Sequence, residues 1–193
     1  RVVFVTNFNV SYGEKIYSAA NFSEQISTAG TEASGTGNMK FMMNGAPTIG
    51  TLDGANIEIV NESGAENNYI FGATVDDLRA LSYNPYEFMQ SSHEMQTVLP
   101  YLTGKVTGLK QNYQDIVTDL EHWDIYYVMY DLQSYIYASM RAFSDYTLEK
   151  ETGIYRFHTL KALENVIHSG KFSSDRTITE YAENIWHITQ VSK

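Results

Sequence analysis

Four short runs rich in β-branched and aromatic residues, at 2–5, 22–27, 48–52 and 68–72, alternate with stretches whose apolar residues fall near helical spacing. A chain patterned this way has few architectures open to it. Strands that are apolar on both faces need helices covering them, and helical connections bring each strand back parallel to the one before. The expected fold class is therefore α/β with a mainly parallel sheet. Helices are expected at about 11–20, 37–44 and 56–63, the last ended by Gly64, and Asp53-Gly54 reads as the turn after the third strand.

After residue 75 the strands stop. Residues 75–81 read as a helix with Asp76 and Asp77 in its first turn, where carboxylates favour the positive dipole end. Leu132, Ile136, Met140 and Phe143, then Ile154, Phe157 and Leu160, recur at helical spacing and are expected to be core stripes. Near the end, Ile178, Tyr181, Ala182, Ile185 and Trp186 form one apolar helical face. Thr177 and Glu180 offer that helix a capping box, and Ser174 or Asp175 an earlier start. Tyr126, Tyr127, Tyr130, Tyr135 and Tyr137 read as packing surface rather than as a platform for sugar. The expected organisation is an α/β part over 1–74 and a mainly helical part over 75–193.

Between the second and third strands lies Thr31-Glu32-Ala33-Ser34-Gly35-Thr36-Gly37-Asn38-Met39-Lys40-Phe41. Gly35 and Gly37 let successive N–H groups face one concavity, and the helix that follows adds its own unpaired N–H groups, so the stretch reads as an anion cradle with an amine beside it. A Walker A loop is excluded, because Phe41 rather than Ser or Thr follows Lys40. A dinucleotide fingerprint fails at its third glycine, where Lys40 stands. A phosphate held within reach of an amine flanked by Met39, Phe41, Met42 and Met43 suits an aldehyde phosphate such as pyridoxal phosphate, since apolar surroundings keep an amine neutral and nucleophilic. The competing reading is that Lys40 snorkels from a buried helix and the glycines only turn the chain. Glu32, a carboxylate so close to an anion cradle, must face elsewhere, and sugar hydroxyls are one such partner.

Charge and composition narrow the chemistry further. A net charge of −10 opposes general attraction to nucleic acid or to an anionic membrane, so any phosphate affinity has to be local. No apolar run approaches the roughly 20 residues of a membrane span. Without cysteine, disulfides and thiolate metal sites are excluded, which fits a reducing cytoplasm. His93, His122, His158, His168 and His187 show no ligand spacing, so no metal is expected. Ser34 lacks the glycine two residues before it that a nucleophile elbow requires.

The run from Ser23 to Phe41 resembles the pyridoxal-phosphate segment of the glycogen/starch/maltodextrin phosphorylases nearly letter for letter, and the resemblance continues through Asn44-Gly45-Ala46 and residues 48–58 and resumes at residues 169–178, Tyr181-Ala182 and Ile185-Trp186. Residues 75–150 match only loosely. The resemblance implies the second half of a Rossmann-like GT-B C-terminal domain, in a C-terminal piece of a much longer enzyme. The implied activity transfers a glucosyl unit from an α-1,4-glucan to inorganic phosphate, giving glucose 1-phosphate, in a cytoplasmic homodimer. By the same resemblance Lys40 would carry pyridoxal 5'-phosphate; Gly35, Thr36 and Gly37 would bind its phosphate; Glu32, Ser34 and Gly35 would bind glucose hydroxyls. Departures are Phe8 where a tyrosine is usual, Asn9 where some members carry arginine, and Pro47 in place of an aliphatic residue. The basic residues that grip substrate phosphate in the family lie outside this stretch, so the piece alone is expected to be inactive. The alternatives are a non-catalytic module of the same fold that binds polyglucan or a partner chain, and a sugar-nucleotide glycosyltransferase of similar architecture.

Overall fold

The computed structural model describes residues 2–105 and 113–189. Three short strands, β1 (Ser23–Gln25), β2 (Thr48–Gly50) and β3 (Tyr69–Ile70), form one sheet in the order β1-β2-β3 with both pairings parallel. Ser23 lies opposite Thr48, and Ile49 opposite Tyr69. Helix α1 (Val10–Ala19) leads into β1, α2 (Gly37–Met43) joins β1 to β2, and α3 (Ala55–Ser63) joins β2 to β3. Among the described residues seven more α-helices follow: α4 (Val75–Ala80), α5 (Pro85–Ser91), α6 (His93–Leu102), α7 (Gln114–His122), α8 (Val128–Thr152), α9 (His158–His168) and α10 (Ser174–Tyr181). The chain is thus a small α/β protein, mostly helical, on a three-stranded parallel sheet.

Local chemistry sets most helix starts. Asn9, Asn84 and Ser92 each accept a backbone N–H from the first turn of α1, α5 and α6. Thr74 and Asp77 close a reciprocal capping box on α4, which gives Asp77 a structural task. Two apolar clusters make the core. Ile49, Tyr69 and Phe71 pack on Ala138 and Ala142 of α8, with Phe22 and Tyr135 at the margin. Met89, Met95, Val117 and Met129 form the other, among α5, α6, α7 and the start of α8. The 25-residue α8 therefore serves both clusters.

Three expectations are corrected. Residues 2–5 form no strand: they pair with none of the described strands, and Val2 and Phe4 are almost fully exposed, so their β-branched character has no ladder to join. The buried residues of α8 are Met129, Asp131, Ala138, Ala142 and Glu149, and none of the four expected core residues is among them. Leu132 and Ile136 are half-buried, while Met140 and Phe143 face outward, as do Ile154, Phe157 and Leu160. The sheet approaches α8 along its alanines, where a short side chain lets backbones come close, and this turns the bulky residues away. Last, α10 starts at Ser174, so Thr177 lies inside it and donates its hydroxyl to the Ser173 carbonyl instead of capping. Ile178 and Tyr181 of α10, and Ile185 and Trp186 in the π-helical turn Ala182–Trp186 that follows it, are all about half exposed.

Candidate functional site

The loop between β1 and α2 is held from below by an amide relay. Asn38 is buried in the first turn of α2 and its Oδ1 accepts the Met39 N–H at 3.0 Å. Its Nδ2 donates to Asn56 Oδ1 at 2.8 Å, and Asn56 Nδ2 donates to the Thr51 carbonyl at 2.9 Å. The start of α2 is thereby tied to α3 and to the end of β2. Gly50 makes room for this relay, because a Cβ there would sit 2.8 Å from Asn56 Nδ2.

Above the relay the backbone is left open. Gly35 has φ +85°, a conformation that favours glycine, and Thr36 precedes α2 without capping it through its side chain. The N–H groups of Gly35, Thr36 and Gly37 make no hydrogen bond among the described residues. A Cβ added at Gly37 would meet nothing within 4 Å. Unpaired donors facing open space at the start of a helix have the chemistry of a phosphate seat, so this donor set fits the cofactor phosphate implied above.

Lys40 stands one turn further on and is exposed. The expectation of a desolvated amine is corrected: at about 100° per residue, α2 turns Met42 fully into the core and leaves Lys40 and Met43 outside. Its Nζ lies 5.6 Å from the centroid of the Tyr17 ring, and Tyr17 in turn meets Phe41 edge to face at 4.8 Å. Lys40 lines a cavity of about 660 Å³ between α1 and α2, with Phe8, Asn9, Tyr17, Met43 and Asn44. Phe8 and Asn9, two of the three positions read from the sequence as departures from the phosphorylase pattern, thus border the cavity that holds the amine.

Glu32, Ser34 and Gly35 come together, but at a different opening. They line a cavity of about 40 Å³ with Gln25, Asn38 and Asp53, a volume that suits about one water rather than a sugar. Lys40 does not line it. The residue that sequence reasoning passed over is Asp53. Read only as half of a turn signal, it is buried and accepts the N–H groups of Gly30 at 2.8 Å, Thr31 at 3.2 Å and Glu32 at 2.7 Å. The sequence carried only a weak signal for this, an Asp beside a Gly after a strand, because such pairs usually bond within their own turn.

A roomier cavity, about 850 Å³, lies apart from the loop among Gly72, Phe88, His93, Tyr130 and Asp131. Burial lifts the Asp131 carboxyl above its ordinary range against the opposing pull of the Ala73 N–H, which it accepts at 2.9 Å. Among the described residues no group of three or more His, Cys, Asp or Glu could hold a metal ion, and no helix is long and apolar enough to cross a membrane.

A family model described as carbohydrate phosphorylase matches residues 1–188. The brain form of glycogen phosphorylase from Bos taurus is 46% identical over 191 residues, covering 96% of this chain and 22% of that protein. Those figures are 46%, 97% and 22% for the brain form from Homo sapiens, and the same for the muscle form from Bos taurus. The chain therefore spans 22% of the length of the relatives it matches. With a family model over residues 1–188 and 46% identity to glycogen phosphorylases across nearly its whole length, the chain belongs to the carbohydrate phosphorylase family.

Proposed function

We propose that this chain is the cofactor-bearing part of an α-1,4-glucan phosphorylase, which moves a glucosyl unit from polyglucan to inorganic phosphate and releases glucose 1-phosphate. The observation that carries the reading is the pairing of an exposed Lys40 at an open cavity with three unpaired N–H groups, at Gly35, Thr36 and Gly37, less than two helical turns away. Pyridoxal 5'-phosphate would supply an aldehyde for the amine and a phosphate able to exchange a proton with substrate phosphate. Lys40 would hold the group covalently, while Gly35, Thr36 and Gly37 would seat its phosphate through their backbone. Glu32, Ser34 and the Gly35 backbone take glucose hydroxyls, and a carboxylate at Glu32 suits that task because it accepts without competing for the phosphate seat. The reading includes a GT-B C-terminal domain with its α/β part at 1–74 and helical part at 75–193. It also includes a cytoplasmic, homodimeric full-length enzyme.

A water-poor site closed on all sides is what gives such a phosphate its strength as an acid, and Lys40 here is open to solvent. This chain by itself is accordingly expected to form no glucose 1-phosphate from phosphate and a linear maltodextrin, and to keep cofactor weakly. Trapping is the direct test. The chain is incubated with pyridoxal phosphate, reduced with borohydride and digested, and the adduct is located by mass spectrometry. An adduct on Lys40 that Lys40→Ala abolishes is the expected result. Reduction that labels the lysines indiscriminately, with no preference for Lys40, would sink the assignment and favour a non-catalytic module of the same fold.

A further inference from the structure

We propose that Asp53 is a positioning residue for the loop, one that shapes Glu32 and Ser34 and reserves the Gly35–Gly37 donors for an external anion. Its two oxygens take three consecutive N–H groups, those of Gly30, Thr31 and Glu32. Three successive amides turned toward one point are an anion nest, and here the chain's own carboxylate fills it. No cation does this work, since none of the ion pairs among the described residues involves Asp53. The neighbouring turn grips the other side of the loop: Ala55 N–H donates to the Ser34 carbonyl at 2.7 Å. Gly54 brings the two segments so close that a Cβ there would lie 2.5 Å from that same oxygen and 2.9 Å from Glu32 Cγ. Residues 30–34 are therefore clamped between an acceptor at Asp53 and a donor at Ala55, with Glu32 and Ser34 inside the clamp. The consequence is a division of the loop's donors. With the first nest occupied, an incoming phosphate meets free N–H groups only beyond Glu32, those of Gly35, Thr36 and Gly37 among them.

This role for Asp53 rests on the reading of Lys40 and the glycines given above, and the test separates the two. Asp53→Asn keeps the shape but turns an NH2 group toward a row of N–H donors, so it cannot fill the nest. Asp53→Ala empties it and leaves room for added formate, a free carboxylate. Hydrogen exchange of the chain and borohydride trapping at Lys40 are read on both variants, with and without formate. In Asp53→Asn the amides of Gly30 and Glu32 should exchange about tenfold faster or more, the equivalent of one lost charge-assisted hydrogen bond, while that of Thr31, which also donates to the Thr28 carbonyl, should change less. Amides of β3 and α8 should not change. Lys40 trapping at sub-saturating pyridoxal phosphate should drop several-fold, and formate should restore both readouts in Asp53→Ala but not in Asp53→Asn. Unaltered exchange at 30–32 in Asp53→Asn overturns the clamp, as does Asp53→Ala behaviour that formate leaves untouched. If the original chain shows no selective Lys40 trapping while exchange responds and formate rescues it, the clamp stands and the cofactor assignment falls. Should Asp53→Ala not fold without formate and fold with it, the clamp is supported more strongly still.

Discussion

Glu149 offers the sharpest test of how α8 is joined to α9. It lies near the end of α8, is only 4% exposed, and points at the first turn of α9. Phe157, the residue before that helix, has no side chain able to cap it. The Glu149 carboxylate does so from outside, accepting the Phe157 N–H at 2.5 Å, the Thr159 N–H at 3.0 Å and the Thr159 hydroxyl at 2.7 Å. Burial pushes this carboxyl up, but the Thr159 and Phe157 donors outweigh burial and hold it below the usual glutamate range. Glu149→Gln keeps one acceptor oxygen and sets an NH2 group against the remaining donors. At least one charge-assisted bond is lost, about 1.5–3 kcal/mol, with about 0.5 kcal/mol more for removing a negative charge from a helix N-terminus. Urea unfolding should therefore give a variant about 2–3 kcal/mol less stable with an unchanged slope, and a thermal midpoint lower by about 5–10 °C. The pH dependence follows from the sign of the shift. A folded pKa below the unfolded one means stability that is present above the unfolded value, near 4.3, and that is lost as pH falls through the folded value. The gap between the two proteins should thus close in acid. A gap under about 0.5 kcal/mol at neutral pH, or one that persists undiminished below about pH 3, would refute the capping role.

Two further outcomes are expected. Gly54→Ala forces a side chain into a backbone conformation with φ +47° and ψ −134° and against the Ser34 carbonyl, so it should destabilise by about 1–3 kcal/mol or more; a loss within about 0.5 kcal/mol in urea unfolding would count against the close approach. Burial, reinforced by a hydroxyl hydrogen bond to Asp145 for Tyr69 and to Asp124 for Tyr83, pushes both phenols well above the ordinary tyrosine range. Since both ionise more readily once unfolded, stability should fall as pH rises past about 10. A near-ultraviolet titration should show their ionisation arriving only with unfolding, and ionisation of every tyrosine in the folded chain would contradict that.

How much of this was legible in the sequence depends on which forces act locally. β1, β2, β3 and the helices between them were readable because alternating apolar runs and the stop at Gly64 are properties of adjacent residues. The glycine loop was readable for the same reason: Gly35 and Gly37 state a backbone requirement in their own chemistry, and the structure leaves the donors there unpaired. Residues 2–5 carry the same local signal as the true strands yet form none, since a strand exists only through a partner's hydrogen bonds. Which face of α8 is buried was likewise not written in its periodicity. Leu132, Ile136, Met140 and Phe143 are as regularly spaced as Ala138 and Ala142, and the approach of the sheet chose the alanines. Lys40 shows the limit most directly: its apolar neighbours in sequence suggested a dry amine, but a helix sends neighbours to different sides, so Met42 is buried and Lys40 is wet. Asp53 was out of reach altogether, because its three partners lie 21 to 23 residues away, and only the pairing of β1 with β2 carries the two segments to within hydrogen-bonding distance.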